Sequence, residues 1–192
     1  MAENPDNKET ILNTAMMLFA KSGYESVGIQ EIIEKSGVSK PTLYHYFGSK
    51  RGLLDAVFEH WGSRLYSVVK TAAEYNHDIV LNLTVLTREI ISFALKETSF
   101  YRMYLACASS FPETDSFDAC KSLRQEVSLC LEQLFYAAGT DHGNIKGKEK
   151  ALSRTFQGMV NTWVLLVLNK EITLTDAVLY SSVHQFMYGI FS

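Results

Sequence analysis

Between Lys35 and Leu54 the chain carries Lys35, Lys40, Lys50 and Arg51 and no acid, a block of four cations on a chain whose formal net charge is −3. Interleaved with them are Thr42, Tyr44, His45 and Tyr46. Hydroxyls, phenols, an imidazole and ammonium groups in one short stretch suit the base edges and phosphate oxygens of a duplex. The distribution of charge, not its sum, decides whether such contact is possible, and so few cations predict a modest salt dependence. Lys50 and Arg51 directly follow Ser49, which reads as a helix cap. Cations in a first turn oppose the helix dipole. A phosphate at that helix start would reverse the balance, meeting free backbone N–H groups and both charges. The choice favours binding over stability.

Helices must position these groups. Ile11, Leu12, Ala15, Met16, Leu18 and Phe19 recur at helical spacing, and Ser22-Gly23 marks the end of that helix. A second, short helix carries Ile29, Ile32 and Ile33 inward and stops at Ser36-Gly37, where glycine can take the positive φ of a tight turn. Ser39 caps a third helix, Pro41 fits its first turn, and Leu43 and Phe47 form its inner face. That leaves Lys40, Thr42, Tyr44, His45 and Tyr46 largely outside. Two short helices about a glycine turn, from Gly28 to Phe47, describe a helix-turn-helix, with Val38 plugging the angle. The third helix is too short to stand alone, so the first must buttress it. Ser49 caps a fourth that carries Leu53, Leu54, Val57, Phe58 and Trp61.

The run Gly23-Tyr24-Glu25, then Ile32, Gly37-Val38-Ser39, Thr42-Leu43-Tyr44-His45-Tyr46-Phe47 and Ser49-Lys50, resembles the DNA-binding domain of the TetR family. The match covers about the first sixty residues. The resemblance implies that Lys40, Pro41 and Thr42 lie near the bases, while Tyr44, His45 and Lys50 serve mainly the phosphates. Three positions depart from the family pattern: Gly28 stands where a capping Ser or Thr is usual, Pro41 replaces a common glycine, and Arg51 a common acid. The first bears on one phosphate contact, and the last would add a cation. The expected DNA-contact set is Gln30, Ser39, Lys40, Pro41, Thr42, Tyr44, His45, Tyr46, Lys50 and Arg51.

Beyond Tyr75 longer helices are predicted near 78–97, 99–110, 115–138, 146–169 and 175–191, with loops at 111–114 and 139–144. The fold class is therefore all-α, with an N-terminal three-helix helix-turn-helix domain and a C-terminal helical domain that binds a ligand and dimerises. Residues 1–6 read as a flexible arm and not a signal, 7–52 as the DNA-binding domain with its motif at 28–47, and 53–192 as the effector-binding and dimerisation domain. Phe93, Arg102, Met103, Phe117, Phe156, Met159 and Trp163 are candidates for an effector pocket, since such a site needs apolar walls and a few placed polar groups. The last two helices are apolar around more of their girth than one packed face needs. Val160, Val164, Val167, Tyr180, His184, Met187 and Tyr188 are the residues that a homodimer built as a four-helix bundle would bury. The resemblance points the same way, because family members usually dimerise through their last two long helices.

Composition sets the remaining bounds. A hydrophobic fraction of 47% and a charged fraction of 20% suit a globular chain. The longest apolar run, Trp163 to Leu168, is far shorter than the roughly 20 residues of a membrane span, so no membrane partner is expected. Cys107, Cys120 and Cys130 are an odd number without metal-ligand spacing, which suits a reducing cytoplasm. Neither a metal nor another cofactor is expected. No nucleophile–base pairing, paired-carboxylate motif or phosphate loop appears, so the chain is not expected to be an enzyme. The expected function is a transcription regulator: a dimeric repressor on a near-palindromic operator of double-stranded DNA, released by a small-molecule effector. The alternative is a helix-turn-helix dimer acting chiefly through a protein partner, with DNA as an address.

Overall fold

The computed structural model describes residues 5–189. In chain order the helices are α1 (Pro5–Ser22), α2 (Ile29–Ser36), α3 (Lys40–Phe47), α4 (Lys50–Val57), α5 (Ser63–Ala72), α6 (Ile79–Lys96), α7 (Thr98–Ala108), α8 (Asp115–Ala119), α9 (Lys121–Ala138), α10 (Glu149–Leu168) and α11 (Asp176–Tyr188), with a π-helical turn at Phe58–Gly62. The fold is all-α, as the periodicity predicts, and no strand occurs among the described residues. None of the described helices is long and apolar enough to cross a membrane.

The chain forms two compact units: Met1–Arg64 with Ser99–Arg124, and Leu65–Thr98 with Gln125–Ser192. The boundary expected after Gly52 falls inside α4. Local pattern places boundaries between contiguous segments, but α7 and α8 fold back into the first unit. There Phe100 meets Phe58 edge-on at 5.8 Å and stacks on Trp61 at 6.3 Å. Of the arm expected over 1–6, residues 1–4 lie outside the described residues, and Pro5 and Asp6 already belong to α1. The helix expected over 115–138 is broken at Cys120 into α8 and α9.

In the first unit Ile11, Ala15, Leu43, Leu53, Leu54 and Val57 are buried, so α1 supplies the buttress that α3 lacks on its own. The second unit is built on α6, which packs against α10 and α11. Its core holds Leu83, Leu86, Val160, Val164, Leu179 and Val183. Phe135, Phe156 and Phe186 form a three-ring cluster with centroids 5.4–6.4 Å apart.

Candidate nucleic-acid interface

The turn before α3 follows from its residues. The Ser36 hydroxyl donates to the Ile32 carbonyl at 2.7 Å as α2 ends. Gly37 takes φ +69°, and its N–H reaches the Ile33 carbonyl at 3.0 Å. A Cβ there would meet open space, so the demand for glycine is one of backbone angle alone. Ser39 is extended and its hydroxyl oxygen accepts from the Thr42 N–H at 3.3 Å, with the two hydroxyls 2.7 Å apart. Ser39→Ala is expected to cost about 1 kcal/mol of stability, read from urea unfolding. Equal midpoints for the two proteins would contradict the cap.

α3 then sorts its side chains. Leu43 and Phe47 are buried, while Lys40, Pro41, Tyr44 and His45 are exposed and Thr42 and Tyr46 half-buried. Lys40 Nζ lies 5.9 Å from the centre of the Tyr44 ring. Gln30, on α2, is exposed, and its amide donates to Glu34 at 3.1 Å.

At the start of α4 the Ser49 hydroxyl accepts from the Gly52 N–H at 2.9 Å. Lys50 Nζ sits 4.2 Å from the centre of the Tyr24 ring and donates to the Glu25 carbonyl at 3.4 Å. Tyr24 is itself packed edge-on against Phe19. The lysine is therefore seated on an aromatic face and a carbonyl dipole that hold its ammonium close to the start of α4. Arg51 behaves differently. Its Nε donates to Asp55 at 2.8 Å and its Nη1 to Asp115 at 3.2 Å. Burial alone would lower the guanidinium pKa, but the hydrogen bonds and charges of Asp55 and Asp115 raise it above its ordinary value. The cation that composition offers to DNA is thus already paired within the protein. Asp55 stands just past the acid-free stretch, one helical turn on, and Asp115 is 64 residues away, where no local charge count reaches it.

Residues 11–57, from α1 through α4, match the family described as bacterial regulatory proteins, tetR family. This segment is a tetR-family domain. The match takes in Tyr24, the α2–α3 turn, the outer face of α3 and Lys50, and stops short of Asp115. Among relatives, the uncharacterized HTH-type transcriptional regulator YvkB of Bacillus subtilis strain 168 is 29% identical over 117 residues, 57% of this chain and 61% of that protein. YxaF of the same organism, described in the same words, is 30% identical over 138 residues, 70% of this chain and 63% of that protein. The chain thus spans less than two thirds of the length of these relatives. The fold extends further than the sequence match: FadR from Bacillus subtilis, solved in complex with stearoyl-CoA, superposes with a TM-score of 0.75 over 95% of this chain and 98% of that one, at 18% identity.

Beyond the tetR-family segment the candidates are divided between the two units. Arg102, Met103 and Phe117 fall in the first; Phe93, Phe156, Met159 and Trp163 fall in the second. Arg102 lines an open groove of about 590 Å³ with Met17, Leu18, Lys21, Lys35 and Ser99. Met103 is buried, and Phe117 lies under the Arg124 guanidinium at 3.9 Å. Phe93 and Phe156 are buried, the latter locked in the phenylalanine cluster, while Met159 and Trp163 are half-buried.

Val160, Val164 and Val167 are buried in the second unit itself and leave no surface for a partner. Their spacing marks the stripe of α10 that faces its own core, and sequence cannot say which of two apolar stripes faces inward. The exposed apolar side chains of this unit include Leu165, Tyr180 and Tyr188 with Val80, Leu81 and Val85 of α6. His184 and Met187 are half-buried, and His184 lies between the Tyr180 and Tyr188 rings at 5.5 and 4.6 Å.

All three cysteines are buried free thiols, and burial pushes Cys107 up to about 12. Such a thiol stays protonated and unreactive. Among the described residues no group of three or more His, Cys, Asp or Glu side chains converges as a metal site.

Proposed function

We propose that this protein is a dimeric, DNA-binding transcription regulator that represses from a near-palindromic operator and lets go when a small-molecule effector binds. In this reading α3 enters the major groove, with Lys40, Pro41 and Thr42 at the bases and Tyr44, His45 and Lys50 on the phosphates. The observation that carries it is Lys50 seated on Tyr24 beside the exposed polar face of α3. A lysine needed only for solubility has no use for such a seat. Two heads would meet successive major grooves about one helical turn apart. The partner surface keeps Tyr180 and Tyr188 of the expected set, both exposed, and takes the exposed Leu165 in place of the buried valines. The effector can weaken DNA binding only by its differential affinity for the two conformations, and operator DNA must weaken effector binding by the same factor.

The test is retention of fragmented genomic DNA at low ionic strength by wild type and by the double variant Tyr44→Ala/Lys50→Ala. Loss of two phosphate contacts should weaken binding by roughly 10- to 100-fold. Equal retention by the two proteins would refute the reading.

A further inference from the structure

Asp115 opens α8 and lies outside the segment that carries the family match. Its two carboxylate oxygens go to two different elements, the turn between α1 and α2 and the first turn of α4. Oδ2 accepts from the Tyr24 hydroxyl at 3.1 Å, and Oδ1 accepts from Arg51 Nη1 at 3.2 Å. Tyr24 is the ring on which Lys50 rests. A single acid, brought from 91 and 64 residues away, thereby ties together the aromatic seat of one cation and the head of the next. Its placement is built by the fold. Thr114 caps α8 by accepting from the Phe117 N–H at 3.3 Å, and Ser116 is buried.

A guanidinium and a phenol hydroxyl converging on two oxygens of one anion is also how a protein receives a DNA phosphate. The donors are of the right kind, the anion is internal, and the pair sits beside the first turn of α4. We propose that Asp115 is an internal stand-in for a backbone phosphate: it occupies Arg51 and Tyr24 and so sets how many DNA phosphates the reading head neutralises. Asp115 is a positioning residue, because it acts through Arg51 and Tyr24 and does not itself touch DNA. With Asp115 in place Arg51 is withheld; with its charge removed, Arg51 keeps only the solvent-exposed pairing to Asp55, which a phosphate can outcompete. The inference rests on the DNA-binding reading above.

The experiment uses the full chain and a fluorescently labelled random-sequence duplex, with affinity measured by anisotropy across a series of salt concentrations. Asp115→Asn keeps the side-chain volume and one oxygen acceptor while deleting the charge. It should bind severalfold tighter at low salt, with the slope of log K against log salt steeper by about 0.9, the value for one more phosphate neutralised. Arg51→Gln alone should leave the wild-type slope unchanged, since that cation is captive. In the Arg51→Gln background, Asp115→Asn should have no further effect on the slope. The proposal is overturned if Asp115→Asn leaves the slope of wild type, if Arg51→Gln by itself flattens it, or if the gain from Asp115→Asn persists without Arg51, which would mean diffuse repulsion. Wild type that shows no salt-dependent association at all would remove the DNA-binding reading and this inference together, whereas binding with an unmoved slope removes only the inference.

Discussion

Alanine at position 52 is expected to dislodge α3 from α4 and to cost the protein at least tenfold in duplex affinity. A glycine inside a helix normally weakens it, and replacement by alanine gains about 0.5–1 kcal/mol. Here the sign reverses. A Cβ on Gly52 would overlap the Phe47 carbonyl oxygen, which is backbone at the end of α3 and has no rotamer to yield. The Ser49 hydroxyl, which caps α4 through the Gly52 N–H at 2.9 Å, would lie in ordinary contact with the same Cβ. Relief requires the Phe47–Ser49 link to open, and that link fixes α3 relative to Lys50. Overpacking of this kind costs roughly 1–3 kcal/mol. Gly158→Ala is the control, because that glycine lies within α10 and an added Cβ meets nothing within 4 Å. Thermal melts followed by circular dichroism should show the first variant falling and the control rising. Matching melts and undiminished DNA affinity for Gly52→Ala would contradict the geometry.

Gly52 also shows where sequence reasoning stops. The helix-turn-helix itself was legible because its punctuation is local: Gly37 with its positive φ, and Ser39 and Ser49 as caps, each act within three or four residues. The outer face of α3 follows from one helical period once Leu43 and Phe47 are placed inside. The role of Gly52 needs the approach of a carbonyl from the preceding helix, and nothing in its neighbours announces that. Arg51 is a sharper case. Its pairing with Asp55 lies within reach of helical spacing, but Asp115 does not, so a charge tally over a window overstated the free cations. The valines of α10 fail for another reason. A helix apolar on two stripes presents both to a sequence reader, and only packing against α6 decides which one is core. The break at Cys120 carries no glycine or proline to mark it.

Asn82 is the residue that sequence reasoning missed most completely, and its replacement should be the most damaging to stability. It sits on α6 in a run of leucines and is 4% exposed. Its amide donates to the Ala72 carbonyl at 3.3 Å and the Glu74 carbonyl at 2.8 Å, and its oxygen accepts from the Asn76 N–H at 3.0 Å. One side chain thereby satisfies three backbone groups of the turn between α5 and α6, a turn that also holds His77 at φ +67°. Asn82→Asp keeps the shape and replaces the two donated bonds with a carboxylate aimed at two carbonyl oxygens. Each buried group left unsatisfied costs about 1–3 kcal/mol, so a loss of roughly 3 kcal/mol or more is expected at neutral pH. For a chain of this size that corresponds to a fall in melting temperature of about 10 °C. The pH dependence has a definite sign. Burial raises the new carboxyl's pKa in the folded state above its unfolded value of about 3.9. The ionisation penalty is therefore absent below that value and grows as pH rises towards the folded-state pKa. Urea midpoints of variant and wild type should converge on acidification, because the protonated acid can again donate to one carbonyl. A deficit that stays constant from acid to neutral pH, or no deficit at all, would show that Asn82 does not organise the turn through these bonds.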